Sequence, residues 1–246
     1  MVESATKTVL LLGEGNFSYA LARARQHLAK PTLKLNLIAT SFDSESELAT
    51  KYPESGKILS KLHEIQCGWL AVKVFHRVDA TQIAKTLLPF EVKDLHECTF
   101  CHPHIGCEDL RKNSSLVAHF FHSSLALKPS FIQITLLEGQ YDRWQVEKVS
   151  QLNLLKLVGR FAIDPVLLEE YGYETKRHQS GKSFSVQKVS KSFSIVSKAY
   201  VFAPASTSVE LSDLSAIGCA PEISMQKPAP NQEDSLVCEN CGKNFG

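Results

Sequence analysis

The run Thr8-Val9-Leu10-Leu11-Leu12 is too short for a helix and is stopped by Gly13. An Ala- and Leu-rich stretch from Phe17 to Ala29 follows at once and is ended by Lys30-Pro31. An unbroken apolar strand needs cover on both faces. A strand feeding a helix through a glycine turn is the opening of a βαβ unit. The pattern then repeats. Leu33 to Ser41 reads as a second strand, and Ser55 to Gln66 as a helix with Ile58, Leu59, Leu62 and Ile65 on one face. Trp69 to Val78 and Leu95 to Cys101 read as the third and fourth strands. Leu110 to Leu127 is helical until Pro129, and Phe131 to Leu137 is the fifth strand. Trp144 to Leu157 reads as a helix, and Lys182 to Phe202 as a final strand pair. Strands separated by helix-length segments predict an α/β fold, a mostly parallel sheet with helices on both faces. Ligands in such sheets bind outside the carboxyl ends of the strands.

Composition narrows the function classes. Lys+Arg number 27 and Asp+Glu 26, a formal charge of +1, so any nucleic-acid binding must come from a local patch. No apolar run reaches the ~18 residues of a membrane span. Met1-Val2-Glu3-Ser4 has no basic stretch before an apolar one, which reads against a secretory leader. The cysteine count of 7 is odd and scattered, as expected of reduced thiols in an intracellular protein. Residues 1–203 carry the periodic apolar content. From 204 to 237, Pro204, Pro221, Pro228 and Pro230 sit among small and acidic residues, which reads as a disordered linker. Residues 238–246 hold Cys238-x-x-Cys241-Gly242-Lys243-x-Phe245, which looks like the first half of a Cys₂His₂ zinc finger. Cys238 and Cys241 alone do not close a tetrahedral zinc site. The expectation is a finger truncated here, a ligand set completed elsewhere, or a decayed motif. Cys98, Cys101, His102, His104 and Cys107 also suggest zinc, but residues three apart on a strand point to opposite faces.

Gly13-Glu14-Gly15-Asn16-Phe17-Ser18 follows the first strand directly. Its glycines permit a tight turn and close approach of a ligand. Ser18 stands where a dinucleotide fingerprint has its third glycine, and Glu14 would repel a pyrophosphate. A ligand carrying a cation, such as S-adenosylmethionine, suits the loop better; an ordinary strand–helix turn is the bland alternative. Asp43, after the second strand, could accept two ribose hydroxyls or cap the next helix. Asp79, with Ala80 after the third strand, could face an adenine or cap the helix beginning there.

These segments, with Val78-Asp79-Ala80-Thr81 and Pro103-His104-Ile105-Gly106, resemble the rRNA uridine-N3 methyltransferase-like family. The resemblance covers roughly residues 7 to 203 and includes Asn113, Phe120-Phe121, Thr135 to Gln140, Trp144 and Gly172-Tyr173. It implies a Rossmann-like class I methyltransferase fold, S-adenosylmethionine as cofactor and RNA, by similarity rRNA, as substrate. The family's Asn-Phe-Pro-His reads Cys101-His102-Pro103-His104 in this chain. The resemblance gives this stretch the target base, with His104 accepting the uridine N3 proton and His102 stacking. A thiol at Cys101 is a weak partner for a base. The alternative is a methyltransferase-like RNA- or protein-binding module without turnover.

Lys176, Arg177, Lys182, Lys188, Lys191 and Lys198 occur with no acid between Thr175 and Val209, interleaved with Phe184, Phe193 and Tyr200. Phosphate contacts with stacking suit single-stranded RNA; a Lys-blunted sheet edge is the alternative. Gln140, Tyr141 and Trp144 could border the substrate mouth or pack in the core. The family resemblance implies the nucleolus or the cytoplasm.

Overall fold

The structure, a computed structural model, describes residues 6–87, 92, 94–162, 170–174 and 197–208, with short strand pieces at 220–221, 236–237 and 244–245. Strand β1 (Thr6–Leu12) leads into α1 (Ser18–Ala29), and β2 (Lys34–Thr40) into α2 (Glu45–Lys51) and α3 (Ser55–Glu64). Then come β3 (Leu70–Phe75), α4 (Ile83–Thr86), β4 (Leu95–Cys101), α5 (Leu110–Leu125) and β5 (Phe131–Leu137). Helices α6 (Gln140–Arg143) and α7 (Val146–Leu152) precede β6 (Leu155–Ala162) and β7 (Ser197–Pro204). The strands form one sheet in the order β3-β2-β1-β4-β5-β7-β6, with the short β8 (Ala220–Pro221) beside β6. Strands β1 to β5 pair in parallel, and β7 runs antiparallel between β5 and β6. A small separate pair joins Leu236–Val237 to Asn244–Phe245.

Alternation along the strands divides the core. Val9 and Leu11 of β1 face α1, α2 and α3, where Ala20, Leu48 and Leu62 bury themselves. Leu10 and Leu12 face the other way, toward Val117, Phe120 and Phe121 of α5 and Val146 and Val149 of α7. Cys98 lies in this second core and Cys101 packs against the first, so the two thiols of that Cys-x-x-Cys do not converge. No group of three or more His, Cys, Asp or Glu among the described residues is arranged to hold a metal. No helix among them is long and apolar enough to cross a membrane.

One expectation needs correction. The helix expected from Trp144 to Leu157 ends at Leu152, and β6 starts at Leu155. Leu154 takes a left-handed φ of 56°, which reverses the chain between them. Of the strand pair expected in Lys182 to Phe202, the described part is β7, which pairs with β5 and β6; residues 182–196 lie outside the described residues. Helix α2 is capped by Ser44 and not by Asp43, with Ser44 and Glu47 forming a reciprocal capping box at its start.

Candidate active site

The sheet reverses its order between β1 and β4, and in open α/β sheets a crevice opens at such a point. A hollow lies there. Its floor is Gly13, Glu14, Gly15, Asn16 and Ser18; Cys101 and His102 come from the end of β4. Tyr19, Tyr52, Tyr173 and Glu174 complete the lining. The glycine loop and the Cys-His pair, far apart in sequence, thus line one hollow.

The glycines are needed for space. Gly13 has a φ of 67°, and a Cβ there would meet the Phe100 ring at 2.5 Å. A Cβ on Gly15 would lie 3.3 Å from the Tyr52 ring. The loop is held from behind, where the Glu14 N–H donates to the Thr40 carbonyl at 2.8 Å. The start of α1 is satisfied by the chain itself. Asn16 Oδ1 accepts from the Ser18 N–H, and Glu14 Oε2 from the Ala20 N–H. An anion therefore finds these donors already engaged. Phe17 is fully buried and meets His76 edge-on, so it is a core residue and not part of the hollow.

Residues Tyr171 to Glu174 are tied over α1. Ser18 Oγ donates to the Glu174 carbonyl and accepts from its N–H, both at 3.0 Å, and Arg25 donates to the Tyr171 carbonyl. Tyr173 packs edge-on against Tyr19. Sequence reasoning missed this wall. It also missed Tyr52, whose position depends on α2 and α3 folding back toward the loop.

Two polar side chains in the hollow carry atoms without partners among the described residues. Glu14 is 5% exposed, and its Oε1 has no hydrogen-bond partner among the described residues. Burial pushes its carboxyl up to about 8, against a smaller downward effect of the Ala20 N–H. His102 takes a left-handed φ of 48° at the end of β4, where its N–H donates to the Thr135 carbonyl. Both its ring nitrogens are shielded and unpartnered among the described residues, and burial lowers its pKa to about 4. The Cys101 thiol contacts the Thr135 hydroxyl at 3.9 Å, and burial, then the nearby Glu14, push it well up.

Pro103 is buried. His104 does not line the hollow. Its Nδ1 accepts the Gly106 N–H at 2.9 Å, its Nε2 lies 3.7 Å from Glu108, and its ring is 6.3 Å from that of Trp144. Asp43 and Asp79 end neighbouring strands, and their loops are joined by Arg77 N–H to the Asp43 carbonyl and Val78 N–H to the Ser41 carbonyl. Neither lines the hollow itself. Asp43 pairs with Lys51 at 2.5 Å. Asp79 Oδ1 accepts from the Thr81 N–H and hydroxyl, a turn-capping role, and Ala80 is buried. Exposed Phe42 and the Ser41–His76 hydrogen bond at 2.7 Å stand beside Asp43, unforeseen from the sequence.

Of the expected substrate mouth, Tyr141 and Trp144 are core and Gln140 is half-buried. Tyr141 is buried and stacked on Tyr200 at 4.3 Å, and Trp144 is fully buried. Gln140 accepts the Leu137 N–H. Tyr200 is accordingly not available for stacking on a base, and Lys198 faces Glu138 at 3.8 Å. Lys176, Arg177, Lys182, Cys238 and Cys241 lie outside the described residues.

A parallel sheet of this order, with one antiparallel strand inserted next to last and a glycine loop after β1, is the class I S-adenosylmethionine-dependent methyltransferase fold. The family described as rRNA (uridine-N3-)-methyltransferase BTM5-like matches residues 10–177, and the chain belongs to it. An uncharacterized Arabidopsis thaliana protein is 27% identical, over 73% of this chain and 86% of its own length. The human ferredoxin-fold anticodon-binding domain-containing protein 1 is 29% identical, over 74% of this chain and 30% of its own. The Saccharomyces cerevisiae 25S rRNA (uridine(2634)-N(3))-methyltransferase is 28% identical, over 49% of this chain and 41% of its own. Among solved structures, the METTL16 MTase domain overlays 82% of this chain and 61% of its own at 13% identity and a TM-score of 0.45.

Proposed function

We propose that this chain transfers a methyl group from S-adenosylmethionine to a base in RNA, N3 of a uridine in rRNA. The observation that carries the reading is the hollow at the β1/β4 switch point, which joins the glycine loop to Cys101 and His102. Among the described residues its lining offers two acidic residues, Glu14 and Glu174, tyrosine rings and no Lys or Arg, a setting for a cationic ligand. The cofactor, when bound, supplies an electrophilic methyl group. Glu14 and the loop backbone would hold its methionine part, Asp43 its ribose, and the Asp79–Ala80 turn its adenine. A target base inside a helix must leave its stack to reach this depth.

His102, rather than His104, is the group we assign to the base. Its imidazole is uncharged at neutral pH, so one ring nitrogen is a free acceptor for the imide N–H and the other a free donor. His104 has its Nδ1 committed to Gly106. Positioning of this kind, with nucleophile and methyl carbon in line, supplies much of a transfer rate. An rRNA substrate fits the nucleolus or the cytoplasm as the working compartment.

Methyl transfer from labelled cofactor to total RNA, with the product mapped, tests the proposal. The expected result is 3-methyluridine in rRNA, with transfer by His102→Ala reduced about 10²-fold or more. Cofactor binding without transfer to any RNA would leave a binding module, a reading that the Cys101 thiol, bonded weakly to Thr135, favours.

A further inference from the structure

We infer that Glu14 is the counter-charge by which this site prefers the cationic methyl donor to its neutral demethylated product, and that donor binding expels a proton from Glu14. The inference rests on the methyltransferase reading and adds a selectivity to it. Glu14 lines the hollow with one oxygen bonded to the Ala20 N–H at 3.2 Å and the other shielded and unpartnered among the described residues. A buried carboxylate with a bare oxygen is costly, so without ligand the group keeps its proton.

Among the described residues, the neighbouring groups do not supply a positive partner. From α1 comes Arg23, which is committed to Glu97 at 3.0 Å. From the end of β4 come Cys101, a protonated thiol, and His102, an uncharged imidazole. The segment over α1 presents Glu174 and Tyr173, and the corner before α3 presents Tyr52 and Glu54, whose Oε1 accepts from Asn16. A sulfonium entering this hollow is the missing cation. The carboxyl then gives its proton to solvent, and the carboxylate and sulfonium form an ion pair in a poorly hydrated space. Loss of the methyl group turns the sulfonium into a thioether. The carboxylate loses its partner and takes a proton back from solvent, which loosens the hold on the product. The ammonium and carboxylate of the methionine part are the same in donor and product, so they cancel in the comparison.

Calorimetry of the full chain with S-adenosylmethionine and with S-adenosylhomocysteine tests this, in buffers of different ionisation enthalpy. At about pH 7 the donor should release close to one proton and the product none. Donor affinity should rise by up to roughly tenfold per pH unit below about pH 8 and level off above it, while product affinity stays flat. Glu14→Gln should abolish the proton release and cut the donor's advantage by about tenfold. Equal proton release with both ligands would mean that Glu14 answers to the shared ammonium, and the selectivity claim fails. Donor binding with no proton release also overturns it, while the methyltransferase reading stands. No donor binding at millimolar concentration removes both. The wild-type comparison of the two ligands decides the matter even if the variant does not fold.

Discussion

Glu14 and Glu97 are two buried carboxyls on the same side of the sheet, under the same helix, in opposite electrical states. Glu97 is fully buried near the middle of β4, where burial alone would raise its pKa. Arg23 at 3.0 Å, Lys7 at 3.9 Å and the Thr99 hydroxyl at 2.7 Å outweigh that and hold it ionised below its ordinary range. Glu14, at the carboxyl end of β1, has a single backbone donor and stays protonated to about pH 8. The difference is partners, not depth. The paired acid braces the sheet, and the unpaired one waits at the ligand crevice. The largest effect should come from unbalancing the paired one. Arg23→Ala leaves Glu97 charged with only Lys7 at 3.9 Å and the Thr99 hydroxyl, and should cost about 3–5 kcal/mol in urea unfolding. A loss under about 1 kcal/mol would show that Glu97 is wet or neutral and that the contrast is false.

A second, smaller effect separates the two unpartnered groups by pH. The folded-state pKa of Glu14 is raised from 4.5 to about 8, so the folded chain binds the extra proton and stability falls as pH rises through that window. That of His102 is lowered from 6.5 to about 4, so stability falls as pH drops through that window instead. Glu14→Gln should therefore match wild type near pH 4 and exceed it near pH 9, by an amount on the order of 3 kcal/mol. His102→Phe should remove the acid-side loss, with no change above about pH 7. Thermal melts of the ligand-free chain across this range read both. Parallel wild-type and variant curves would mean that the hollow is hydrated and neither group is perturbed.

How much of this was legible depends on the range of the interaction. Strands β4 and β5 were read at their observed bounds, β5 because a β-rich run follows Pro129, β4 on a weaker signal in which His96, Glu97 and Thr99 interrupt the apolar residues. The Leu152, Leu154, Leu155 and Leu157 series fits a helix as well as a strand, and only the left-handed Leu154 decides between them. Glu14 could be read as unsuited to a pyrophosphate, since like charges repel at any distance. That its free oxygen would be sealed off could not, because Tyr52 and the Tyr171–Glu174 segment come from distant parts of the chain. His104 was assigned the proton by motif position. The left-handed φ at His102 brings that ring to the hollow instead, and the sequence signal for it is weak, because a positive φ is uncommon for any non-glycine residue even though histidine is enriched among the exceptions.

Asp43 extends the contrast to the surface and carries the smallest effect. Its carboxylate is paired, like that of Glu97, but the partner Lys51 is 42% exposed and Asp43 itself 21%. Water screens such a pair, so Lys51→Ala should change unfolding by less than about 1 kcal/mol. The carboxylate it leaves behind is better placed to accept ribose hydroxyls without competition. Donor affinity in Lys51→Ala should then hold or tighten by a few-fold, whereas Asp43→Ala should weaken it by about tenfold or more. If Asp43→Ala binds the donor as well as wild type does, Asp43 serves only its lysine. The nucleoside end of the site must then be sought at Phe42 and at the Ser41–His76 pair, where an exposed ring and a hydrogen-bonded imidazole stand at the ends of the same two strands.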